Sequence, residues 1–93
     1  MKPAAILCAS GIGDGLLMMR GAHHLKMAGF HPTVFHDGAK DLSLLFEEET
    51  IHPHVPLKDL ETTLKKFARV LIENDNSERA WFLFDLRNKG KLD

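Results

Sequence analysis

With 93 residues, 44% of them hydrophobic and 27% charged, the chain has material for one small core, and its formal net charge of -1 offers no field to attract nucleic acid. A single cysteine, Cys8, excludes an internal disulfide and points to a reducing compartment. No run approaches the ~20 apolar residues of a membrane span, and the short apolar run after Met1-Lys2-Pro3 falls below the ~7–15 residues of a signal-peptide core. The expected location is the cytoplasm, with peripheral attachment at the inner membrane as a variant of it.

Residues 4–9 are continuously apolar, as in a strand covered on both faces of a parallel sheet, and Ser10-Gly11 ends the run. Met18, Ala22, Leu25 and Ala28 then recur at helical spacing, predicting a helix over 14–28 that Gly29 caps. Pro32–His36 is short, β-rich and bounded by turn residues, so it reads as a second strand. Leu42, Leu45 and Phe46 form a brief helical set closed by Glu47–Glu49. The segment 51–56 holds two prolines and offers at best a short edge strand. Leu57, Leu60, Leu64, Phe67 and Ala68 mark a helix over about 58–68, and Val70–Ile72 a strand ending at Glu73-Asn74-Asp75-Asn76. Asn76 or Ser77 caps a last helix, which runs to about Lys89 with Gly90 just beyond it.

Strands alternating with helices define an α/β, Rossmann-like domain spanning 1–93: a mostly parallel sheet of three or four strands with helices on both faces. The chain stops at Lys91-Leu92-Asp93, straight after a helix, where a further strand is due. It is therefore read as the incomplete N-terminal part of a longer protein.

In such sheets ligands gather at the carboxyl ends of the strands, so the glycine-rich segment after the first strand, Gly11-Ile12-Gly13-Asp14-Gly15, is the candidate site. Gly11, Gly13 and Gly15 allow close approach of a ligand to the backbone, and the helix N-terminus favours a negative or polar group. Asp14 can then orient or deprotonate a hydroxyl; equally, it can serve only as a first-turn acid that stabilises the helix. A dinucleotide fingerprint fits poorly, because Leu16 replaces its third glycine and Asp14 puts a carboxylate where pyrophosphate charge would sit. Asp37, at the end of the second strand, does stand where a ribose-binding acid belongs. The histidines supply only an H-x-H pair, His52-Pro53-His54, and no cysteine–histidine cluster has metal-site spacing, so no metal or bound cofactor is expected.

Ile6-Leu7, then Gly13-Asp14-x-Leu16, then Ala22-x-x-Leu25-Lys26 and a strand at Pro32–His36 together resemble the N-terminal domain of the heptosyltransferases. These are two-domain, inverting glycosyltransferases of bacterial lipopolysaccharide core assembly. The resemblance covers the first 36 residues at the level of motif and most of the chain at the level of element order. It implies that Asp14 is the base that activates an acceptor hydroxyl. It also implies that Gly11, Gly13 and Gly15 shape the cleft for a glycolipid or saccharide acceptor. The nucleotide-sugar donor would bind mainly a C-terminal domain outside this chain. Two positions depart from the family pattern: Arg20 replaces an early-helix proline, and Gly11 replaces a serine or threonine. Arg20 is a candidate for an acceptor phosphate or a plain solvated residue. The alternatives are a nucleotide- or dinucleotide-binding module of an oxidoreductase and a non-catalytic interaction domain.

Ala80-Trp81-Phe82-Leu83-Phe84 with Leu86 is apolar around most of its helix. A partner is expected on it, either the donor-binding domain or a second copy.

Overall fold

The computed structural model describes residues 2–9, 11–73 and 77–90, the side chain of Ile12 excepted. The turn expected at 74–76 and the end at 91–93 lie outside the described residues. Four strands, β1 (Lys2–Leu7), β2 (Phe30–Phe35), β3 (Thr50–His52) and β4 (Arg69–Ile72), alternate with four helices, α1 (Ile12–Met27), α2 (Ala39–Leu45), α3 (Leu57–Leu64) and α4 (Glu78–Asn88). The strands form one all-parallel sheet in the order β3-β2-β1-β4, so the chain is α/β and Rossmann-like.

Continuous burial of Ala4, Ala5, Ile6 and Leu7 follows from cover on both faces of β1. Ile6 and Cys8 pack with Met19, Ala22, Val34, Ala39 and Leu42 under α1 and α2. Ala5 and Leu7 pack with Phe35, Leu60, Leu64, Leu83 and Leu86 under α3 and α4. The period of two along a strand divides the residues between the two layers.

Prolines set where pairing begins. The Pro3 carbonyl accepts from Ala68 N–H (2.7 Å), so the missing Pro3 N–H faces the β4 side, where pairing starts one residue later at Ala4 opposite Arg69. His36 N–H donates to the His52 carbonyl (2.9 Å), and by alternation Pro32 also faces β3, which starts only at Thr50 opposite Thr33. A central strand thus carries a proline without losing a ladder bond.

Several elements depart from expectation. Helix α1 starts two residues early, with Gly11 as its N-cap, so Gly13, Asp14 and Gly15 lie inside its first turn. Ala28 is its exposed C-cap and not part of the core stripe; Gly29 follows at φ +92°, left-handed as foreseen. On α2 the inward face is Ala39, Leu42 and Phe46, and Leu45 is 67% exposed. Helix α3 stops at Leu64, because Ala68 is drawn into the sheet through Pro3. Strand β4 pairs with β1 alone and is an edge among the described residues, which leaves Leu71 42% exposed. Ser77 caps α4, its Oγ accepting from Ala80 N–H (3.1 Å).

Candidate functional site

Strand order reverses between β1 and β4, since the chain leaves β1 toward β2 and returns from β3 to the far side. A crevice is expected outside the carboxyl ends of these two strands. The connection from β1 to α1 runs along it, and side chains from four other places fasten its backbone.

The first is His36, fully buried just past β2. Gly38 N–H donates to its Nδ1 (2.7 Å), which leaves the ring proton on Nε2, and that N–H donates to the Gly11 carbonyl (2.8 Å). The same carbonyl accepts the first helical bond of α1, from Gly15 N–H (3.0 Å). A side chain just past β2 thereby fixes where α1 begins.

Gly15 makes this fit possible. A Cβ at position 15 would stand 2.9 Å from His36 Nε2 and from Leu42 Cδ1, so the helix can approach His36 only without one. Gly13, by contrast, faces open space, and Gly11 is extended at φ -71°. The three glycines therefore do different things: Gly15 is a packing residue, and only Gly11 and Gly13 leave backbone exposed at the crevice.

Three more residues hold Cys8 and Ala9. His54, past β3, donates from Nε2 to the Cys8 carbonyl (2.9 Å), and Arg79 of α4 donates to the same oxygen (3.3 Å). Glu73, just past β4, accepts from Ala9 N–H (2.8 Å), a bridge across the point where strand order reverses. Burial holds the His54 ring below its ordinary 6.5, the Arg79 charge acts the same way, and the bond to Cys8 opposes them. Its Nδ1 is buried without a partner among the described residues. Burial, and then the Glu73 carboxylate, push the Cys8 thiol up to about 12, as an unreactive core cysteine requires.

Asp14 occupies the third position of α1 and is half-buried. A methyl group on Gly11 would come within 3.2 Å of one of its carboxylate oxygens, so the side chain curls back over the N-cap toward the loop. Among the described residues it makes no hydrogen bond and no ion pair. Asp37 is exposed at the tip of β2, beyond His36.

Arg20 does not join this group. Six residues on from Asp14, it lies about 9 Å up the axis and about 240° round. It borders a separate groove of about 260 Å³ with Leu16, Met19, His23, His24 and Phe46.

His36, Arg79 and the anchoring roles of His54 and Glu73 were not foreseen. A usable signal existed, however. His36 directly follows β2, His54 lies two residues past β3 and Glu73 directly follows β4, and in a parallel sheet all such positions share one edge.

Among the described residues no group of three or more His, Cys, Asp or Glu is arranged to hold a metal ion, and no helix is long and apolar enough to cross a membrane. Compared with protein-family models, curated proteins and solved structures, the chain matches none of them.

Proposed function

We propose that this chain forms the acceptor side of an inverting, heptosyltransferase-like glycosyltransferase in which Asp14 is the catalytic base. One contrast carries the reading. His36, His54, Glu73 and Arg79 all bind backbone of the strand-to-helix connections, whereas Asp14 beside them has both oxygens unclaimed among the described residues. A carboxylate on a backbone fixed from four directions is pre-positioned to meet a hydroxyl. Asp14 takes the proton of the acceptor hydroxyl, and the oxygen forms a bond to the anomeric carbon of a nucleotide sugar. The bond from that carbon to the diphosphate breaks, and the nucleoside diphosphate leaves with the electron pair. The acceptor is a saccharide or glycolipid, and the donor is held mainly by a second domain outside this chain.

The test is sugar transfer by the protein that supplies both halves. Asp14→Asn lowers kcat by ~10²–10⁴-fold, the usual worth of a general base, with little change in donor KM. A variant that retains the wild-type rate sinks the assignment.

A second reading, a nucleotide-binding module, draws on one observation: Asp37 stands exposed at the end of β2 in a sheet of order β3-β2-β1-β4. Saturable binding of NAD⁺, lost in Asp37→Ala and kept in Asp14→Asn, favours it. Asp14 itself weighs against it, because its charge lies in the first turn, where a pyrophosphate needs free N–H groups.

A further inference from the structure

The outer edge of β4 is unpaired among the described residues, and it carries a pattern that can pair with itself. Glu73 N–H points inward to the Leu7 carbonyl (3.0 Å), so by alternation the amides of Arg69 and Leu71 point to β1 and those of Val70 and Ile72 point out of the sheet. The residues along this edge read Arg69-Val70-Leu71-Ile72-Glu73: a cation, three apolar residues and an anion. Arg69, Leu71 and Glu73 share one face. It is the face of Ile6, which pairs with Leu71, whereas Val70 and Ile72 turn to the α3–α4 core.

We propose that a second copy of this chain pairs antiparallel with β4 about a two-fold axis through Leu71. That register sets Leu71 against Leu71 of the second copy, Val70 against Ile72, and each Arg69 against the other copy's Glu73. All opposed pairs are then apolar–apolar or of opposite charge. A parallel neighbour in register would set Arg69 against Arg69 and Glu73 against Glu73, and those like charges repel. Pairing joins the two sheets into eight strands and covers the exposed Leu71. It also adds to the apolar strip on α1: Gly21 lies over Ile6, and Leu17, one turn earlier on the same flank, is 62% exposed. One Glu73 oxygen is taken by Ala9 N–H; the other is available to the incoming guanidinium. Each copy thus brings a positive charge to the end of β4 in its partner, at the rim of the crevice.

The test is the solution mass of the 93-residue chain by sedimentation equilibrium, with three variants. Wild type sediments at twice 10.5 kDa. Arg69→Glu opposes two pairs of carboxylates and raises the dimer Kd at least ~10-fold. Ile72→Pro removes an outward amide, leaves the inward ladder to β1 intact and gives a monomer with the wild-type far-ultraviolet circular dichroism. Trp81→Ser, on the exposed flank of α4, leaves the dimer unchanged. A wild-type chain that stays monomeric at millimolar concentration overturns the proposal. So does a dimer that survives Arg69→Glu, or one that Trp81→Ser dissociates.

Discussion

The first turn of α1 and the turns that follow it differ sharply, although the sequence presents them as one stretch of helix. In the first turn, a buried histidine just past β2 receives Gly15 and grips the Gly11 carbonyl, and Asp14 sits over this clamp with no internal partner among the described residues. Two turns on, Arg20 and His23 border an open groove beside Phe46, with the first-turn residues Gly11, Gly13 and Asp14 outside it. Rotation about a helix parts residues six positions apart, while parallel topology gathers residues from one end of the chain to the other. Cys8 and Arg79, 71 positions apart, share a hydrogen bond. A site in this architecture belongs to the edge of the sheet and not to a stretch of chain.

Mutation separates the two regions, and the largest effect is expected at His36. His36→Ala leaves the half-buried Gly38 N–H unpaired and opens a cavity where the buried ring stood, costing about 2–4 kcal/mol in denaturant unfolding. His24→Ala, on the exposed flank two turns up, stays within about 0.5 kcal/mol. Equal losses would mean that the first turn is not specially anchored.

Glycines sharpen the same contrast. Gly15→Ala drives a methyl group against His36 and Leu42 and destabilises by about 1–3 kcal/mol. Gly21→Ala meets only Ile6 at 4.0 Å, an ordinary contact, and stabilises by about 0.4–1 kcal/mol through reduced freedom of the unfolded chain. Thermal melts of the two variants should shift in opposite directions.

The smallest effect is a pH dependence. Burial lowers the His54 pKa in the folded state, so the unfolded chain binds the proton more readily. Stability therefore falls as pH drops below about 6.5, and the loss levels off below the folded-state value. His54→Gln keeps a donor for the Cys8 carbonyl and flattens this part of the pH–stability curve. A variant with an undiminished slope would assign the titration to another group.

Much of the fold was legible in the sequence because its cause is local. Ala4–Ala9 is apolar without a break, so cover on both faces could be read directly, and Gly29 marked the end of α1. The start of α1 was not legible. It is set by the Gly11 carbonyl meeting His36, a contact across 25 positions that no periodicity records. The spacing of Leu42, Leu45 and Phe46 marks a helical set, but which of these residues faces inward is decided by the sheet beneath α2, and Leu45 is left exposed. At the candidate site, Asp14 stood out because it follows glycines after an apolar strand. His36 was hidden inside a β-rich run, and His54 inside a proline loop that reads as surface.

The account is tested most directly by titrating a lipopolysaccharide inner-core oligosaccharide into the ¹⁵N-labelled chain, followed through the backbone amides. Saturable shifts centred on Gly11, Gly13 and Asp14, and kept in Arg20→Ala, are the predicted result. No saturable shift at Gly11, Gly13 and Asp14, or shifts that centre on Arg20 and His23, would contradict it.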